Sequence, residues 1–220
     1  MRAVLSGMKR ILWITLLGLI LPGSAFADSS SQVDFGNSGG TLTGWSGGMS
    51  LVGSTLVSVV NYDGLGTVTG SDLGTLTFVT GPLISGNLGT GAVFAGGGSF
   101  QIATNGTNGL PDGVIFTGSF SGDVVWRLQL FSNGSREYTL TGPISGTLVE
   151  GNQNIAVVGL TVQLTVTIGK NNQVVDWRSI LIASGNTTLT PVVPEPSTLG
   201  LLGTGLVAVA ALVRYRLRSR

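Results

Sequence analysis

From Leu160 to Ile168 apolar and polar residues alternate without a break: Leu160, Val162, Leu164, Val166 and Ile168 form one row, Thr161, Gln163, Thr165 and Thr167 the other. A two-residue period puts successive side chains on opposite faces of an extended chain, which a helix cannot do. The segment reads as a half-buried strand with its Leu/Val row toward a core. Gly169-Lys170-Asn171-Asn172 and the β-rich run from Gln173 to Ile182 follow it, so a hairpin is expected. A second hairpin is expected about Asn133-Gly134, between Val124 to Phe131 and Arg136 to Thr141, because Asn-Gly supplies the positive φ angles of a type I′ turn. Further strands are expected at Thr55 to Val60, Leu73 to Thr80, Ala92 to Ala95, Ser99 to Ala103 and Val114 to Phe120. Turn signals at Asp63-Gly64, Gly96-Gly97-Gly98 and Pro111-Asp112-Gly113 separate them. With 36 glycines, 7 prolines and no triplet repeat, collagen is excluded and many short strands are implied. The fold expected is all-β, an antiparallel sandwich or barrel, with the sandwich favoured. Thr80-Gly81-Pro82-Leu83-Ile84-Ser85-Gly86-Asn87-Leu88 and Thr141-Gly142-Pro143-Ile144-Ser145-Gly146-Thr147-Leu148 echo one another, as two related halves or, the preferred reading, as two similar turns.

The two ends do not share this pattern. Arg2, Lys9 and Arg10 precede the apolar run Ile11 to Leu21, a Pro22-Gly23 breaker, and Ala25-Phe26-Ala27. That order reads as a signal peptide over 1–27, with the small residues Ala25 and Ala27 set for signal peptidase and cleavage after Ala27. Met8 is an alternative start. At the other end the apolar run Leu199 to Val213 leads into Arg214, Arg216, Arg218 and Arg220. Counted over 198–215 a helix reaches about 27 Å, enough to span a bilayer core, with the basic tail 214–220 kept in the cytoplasm. Ahead of it, Pro194 and Pro196 around Glu195 hold the chain extended, the form a protease binds. Motif, span and basic tail together read as a sorting signal.

This tail resembles the PEP-CTERM sorting domain of bacteria that make exopolysaccharide: Pro194-Glu195-Pro196, then Ser197-Thr198-Leu199, a Gly-containing apolar helix and the Arg cluster. The resemblance covers residues 192–220. It implies recognition by exosortase, an integral-membrane enzyme that would cut near Pro194-Glu195-Pro196, which is then a substrate and not a catalyst. It further implies export across the inner membrane, transient anchoring there by the C-terminal helix, and delivery to the cell surface or the extracellular polysaccharide.

Residues 28–191 are then an exported Gly/Ser/Thr-rich domain. They carry nine acids against four bases, net −5, because seven of the eleven basic residues lie in the two ends. An acidic domain is repelled by phosphate, so nucleic acid is not an expected partner. With no Cys and no His the chain has no disulfide framework, no thiol nucleophile, no ordinary zinc site and no Ser-His pair. No catalytic residue and no metal site is assigned. A glycan-degrading enzyme would need paired carboxylates, for which Asp112, Asp123, Glu137, Glu150 and Asp176 qualify by residue type alone. Calcium is the cofactor best suited to the residue types, with Asn105, Asn108 and Asp112 in one loop, although turn formation explains that loop better. Trp126 shares a row with Val124, Leu128 and Leu130 and reads as core, which leaves Trp45 and Trp177 as the candidate glycan contacts. The expected function is a non-enzymatic structural protein of the surface or biofilm matrix. A carbohydrate-binding module is the alternative.

Overall fold

The structure, a computed structural model, describes residues 32–167 and 179–192, together with Arg214, which is helical and exposed. The signal peptide, most of the hairpin loop after Thr167, Trp177, Asp176, the Pro194-Glu195-Pro196 motif and the expected span 198–215 apart from Arg214 lie outside the described residues. Among the described residues no helix is long and apolar enough to cross a membrane.

Among the described residues fourteen strands run in chain order: β1 (Val33–Ser38), β2 (Thr41–Trp45), β3 (Gly48–Val60), β4 (Thr67–Thr69), β5 (Gly74–Val79), β6 (Leu83–Asn87), β7 (Gly91–Phe94), β8 (Gly97–Asn105), β9 (Asp112–Phe120), β10 (Val124–Leu130), β11 (Arg136–Glu150), β12 (Gln153–Thr167), β13 (Ser179–Leu181) and β14 (Ser184–Pro191). Every pairing is antiparallel. The path β12-β14-β1-β3-β5-β8-β9-β11 returns to β12, so eight strands close into a barrel. Of the two architectures expected, it is the barrel that forms. Closure abolishes two sheet edges at once. The remaining strands attach outside the ring: β10, β7 and β6 continue from β11, while β2, β13 and β4 attach to β3 directly or through β2.

The long strands make this branching possible. β11 pairs with β12 along its whole length, but on its other side it meets β10 through Arg136–Thr141 and β9 through Ile144–Leu148. Pro143 stands where the partner changes. Its carbonyl accepts from the Ser121 amide at 3.0 Å, and the N–H it lacks is not needed at the switch. The other half of the sequence echo, Thr80 to Gly86, is a turn leading into β6, so the two copies occupy different structural settings.

The interior has an aromatic end. Phe78, Phe100, Phe116 and Phe120 are all at most 2 % exposed, with Phe78 stacked on Phe100 at 5.5 Å and edge-on to Phe120 at 5.4 Å. A second cluster lies under the outer strands, where Trp126 stacks on Tyr138 at 5.1 Å and its indole N–H donates to the Leu88 carbonyl at 2.8 Å. Trp126 is thus core, as its row suggested. Glu137 lies on the outward row of β11 with Thr139, off the row of the buried Tyr138 and Leu140.

β12 corrects the sequence reading. Its Thr161, Gln163 and Thr165 are buried at 0 % exposure, whereas Val158 and Leu160 are 48 % and 44 % exposed. The polar row points into the barrel and the Leu/Val row points out. The reason is a polar cluster at the place where the sheet bends. β1 breaks from β2 at Gly39-Gly40, whose φ angles of 68° and 82° suit glycine, and a Cβ on Gly40 would come within 2.6 Å of the Ser54 amide nitrogen. β3 shifts register between Leu51 and Ser54. Across this bend Asn37 and Gln163 exchange hydrogen bonds, the Asn37 amide donating to Gln163 Oε1 at 2.8 Å and the Gln163 amide to Asn37 Oδ1 at 3.2 Å. Asn37 also donates to Ser54 Oγ at 2.8 Å, and Gln163 to Thr161 Oγ1 at 3.0 Å, which itself pairs with Thr187 Oγ1 at 2.8 Å. Gly185 leaves the room: a Cβ there would fall 2.1 Å from Gln163 Oε1 and 2.5 Å from Asn37 Oδ1.

The expected hairpin after Thr167 also differs. The strand that returns along β12 is β14, from Leu164 opposite Ser184 to Val157 opposite Pro191, while Ser179–Leu181 pairs with β2.

The inverted face is directly testable. Replacing Gln163 by Leu strands the Asn37 amide and is expected to cost about 3 kcal/mol. Leu160→Thr should change stability by no more than about 0.5 kcal/mol. Urea unfolding of both variants checks this, and the opposite ranking would place the Leu/Val row inside.

Candidate functional site

Both ends of the barrel chain emerge at one rim. Val33 pairs with Leu189, the Asn61 amide reaches the Gln32 carbonyl at 3.3 Å, and the Val192 amide donates to the Ala156 carbonyl at 2.8 Å. The same rim holds the 3₁₀ turn Tyr62–Gly64 and the β11–β12 turn at Gly151-Asn152, tied together by the Tyr62 hydroxyl donating to the Val149 carbonyl at 2.5 Å. Tyr62, Asp63, Pro111, Asp112, Val114 and Asn152 border a cleft of about 320 Å³ there. Asn61, Asp63, Asn108 and Asn152, the non-glycine residues with positive φ among the described residues, all belong to this rim.

Of the carboxylates named from sequence, Asp112 borders this cleft, with Asp63 beside it, and Glu150 stands at the end of β11 near Asp63. Asp123 lies in the β9–β10 turn and Glu137 opposite Gln129 on the outer sheet, so neither joins them. No group of three or more acidic residues is placed to hold a metal ion among the described residues. In the loop proposed for calcium, the Asn105 carboxamide oxygen accepts from the Thr107 amide at 3.3 Å and hydroxyl at 2.6 Å, an Asx turn.

Trp45 ends β2 and is 37 % exposed. Its ring lies over Gly47, where an added Cβ would meet Nε1 at 2.4 Å, and it borders a cleft of about 100 Å³ with Leu83, Gly86, Asn87 and Phe94. That is smaller than the roughly 300 Å³ at which small-molecule sites begin.

A groove that the sequence reading missed lies on the outer sheet. Val125, Arg127, Gln129, Thr139 and Thr141, with Leu128 and Leu130, line about 690 Å³. Arg127 stands opposite Thr139, and Val125 opposite Thr141, in the β10–β11 register. The signal was present in the two-residue row Val125-Arg127-Gln129, whose partner row only the pairing of β10 with β11 identifies. A guanidinium, an amide and two hydroxyls above aliphatic side chains form a hydrogen-bonding surface with an apolar floor.

Burial raises the Glu150 carboxyl above its ordinary pKa, and the Asp63 carboxylate adds to this, while a hydrogen bond from the Asp63 backbone opposes it. Burial, with Asp63 and Glu150, pushes the Tyr62 phenol up to about 12. The folded protein therefore holds the Glu150 proton more tightly than the unfolded chain, so ionised Glu150 destabilises the fold at neutral pH and protonation relieves it. Glu150→Gln is expected to melt above the parent at neutral pH, with the gap closing as the pH falls through the raised carboxyl pKa. Melting curves of both proteins across that range check the sign.

Comparison with curated proteins and with solved structures returns no match. Residues 192–216 match the family model described as the PEP-CTERM protein-sorting motif, beginning at the last described residue of the barrel chain. The barrel therefore precedes a tail that carries the Pro-Glu-Pro sequence, and the chain is a PEP-CTERM sorting domain-containing protein.

Proposed function

We propose that the barrel is a non-enzymatic component of the cell surface or of the extracellular polysaccharide matrix, put in place by its tail. The sorting motif makes the chain an exosortase-targeted exported protein. One observation carries the step from address to role. The barrel is filled by its own side chains, phenylalanines at one level and the Asn37–Gln163 cluster at another, so its contacts with other molecules belong to the outer face. That face is rich in Thr and Ser, and its outer strands present Ile84, Leu130 and Leu181 at 57 %, 64 % and 73 % exposure. Such strands adhere to other molecules by backbone and apolar contact.

The outer-sheet groove favours a second reading, a carbohydrate-binding module. Arg127, Gln129, Thr139 and Thr141 offer the donors and hydroxyls that sugar hydroxyls pair with. This moves the glycan contact away from Trp45, whose cleft is small.

The sorting step is tested by intact mass. Material released from the producing cells should lack everything beyond the Pro194-Glu195-Pro196 region, and a Glu195→Ala, Pro196→Ala double variant should stay in the inner-membrane fraction with its arginine tail intact. Released protein still bearing that tail would sink the processing reading. The role of the barrel is tested by whether processed protein sediments with the host's own polysaccharide without shortening it.

A further inference from the structure

We propose that the outward row of β12 is a lipid-contacting ridge that lays the barrel against the bilayer while the tail is still attached. The row runs Ala156, Val158, Leu160, Val162 and Leu164; the first three are exposed and the last two half-buried. A row with strict strand periodicity and no polar member is what a core-facing strand carries, yet here the core side of β12 is taken by Thr161, Gln163 and Thr165. The neighbouring stretches, Thr141 to Thr147 on β11 and Asn186 to Thr190 on β14, contain no charged residue. Asp34 on β1, two strands from Leu160, has its carboxylate held by the Thr188 hydroxyl at 2.5 Å, and Glu137 on β11 stands opposite Val166, beyond the Leu164 end of the row. Asp63 and Asp72 lie between β3 and β5, and Asp112 opens β9.

Three observations select lipid as the occupant. The ridge begins where the chain leaves the barrel, since Val192, itself 48 % exposed, donates its amide to Ala156, and the sorting segment that carries the chain to the membrane follows at once. The ridge and the stretches beside it carry no carboxylate of their own, so anionic headgroups repel this strip less than they repel the acidic loops. The open part of the ridge is only a few side chains, far short of the roughly 800 Å² per partner that a stable interface between free proteins requires. A tethered contact needs much less, because the anchor supplies a high effective concentration. It follows that the contact holds before cleavage of the tail and is lost after it, so that processing also frees this face.

The inference rests on the anchoring part of the sorting reading and not on the matrix role. The chain contains no cysteine, so single-cysteine labelling is clean. The full chain is reconstituted into vesicles of phosphatidylethanolamine and phosphatidylglycerol that contain a doxyl-labelled lipid. A bimane label is placed at Leu160→Cys or, as a control, at the exposed Thr75→Cys on β5, four strands away around the ring. Strong quenching is expected at the first site and little at the second, and proteolysis of the segment after Val192 should abolish the difference. Equal quenching at both sites, or none at Leu160→Cys in chains that float with the vesicles, overturns the ridge. Failure to float overturns the anchoring itself. Protection of the Leu160→Cys label that grows with protein concentration in detergent, without lipid, would assign the ridge to a second copy and reject lipid.

Discussion

The reciprocal amide pair between Asn37 and Gln163 is the interaction around which the barrel is organised. It joins residues 126 positions apart, at 1 % and 0 % exposure, across the point where β1 gives way to β2 and β3 shifts register. A strongly bent sheet interrupts its own ladder and leaves a place where apolar side chains pack poorly. Filling that place with two carboxamides and four hydroxyls leaves the Thr165 hydroxyl as the one member of the cluster without a partner. Buried polar groups are tolerated when they are paired, and paired ones tie the strands to one register.

From that register the rest follows. With Gln163 inside, the Leu/Val row of β12 must lie outside, because a strand offers only two faces. With Gly185 opposite Gln163, β14 can approach without a clash, and β14 then pairs with β1 to close the ring. The aromatic cluster and the polar cluster thus occupy successive levels of one interior, and the outer strands add a separate aromatic core of Trp126 and Tyr138. Mouth, groove and ridge are three different surfaces of this scaffold, served by loops, by the β10–β11 pair and by β12.

Much of the secondary structure was legible in the residues. The strands about Val114 to Phe120, Leu73 to Thr80 and Arg136 to Thr141 appear close to where alternation and turn signals put them, and the core place of Trp126 follows from its row. The facing of β12 was not legible. Periodicity gives two rows but not which one is inside, and the deciding partners, Asn37, Ser54 and Gly185, are distant in sequence. Closure into a barrel was equally hidden, since it depends on β11 being long enough to serve β9, β10 and β12 together. The groove about Arg127 escaped for the same reason: each of its two rows is unremarkable alone, and their juxtaposition is a matter of register. The sorting tail was the opposite case, because its information is local, a short run of residues in fixed order.

The pairing of β1 with β14 sets a condition on how an exported chain of this kind matures. The first strand of the ring in chain order has its permanent neighbour in the last, so Val33 to Asn37 leaves one edge unclaimed until Gly185 to Leu189 is made. Ring closure therefore waits for nearly the whole of the barrel chain, and the strand that completes it ends one residue before the segment that carries the address.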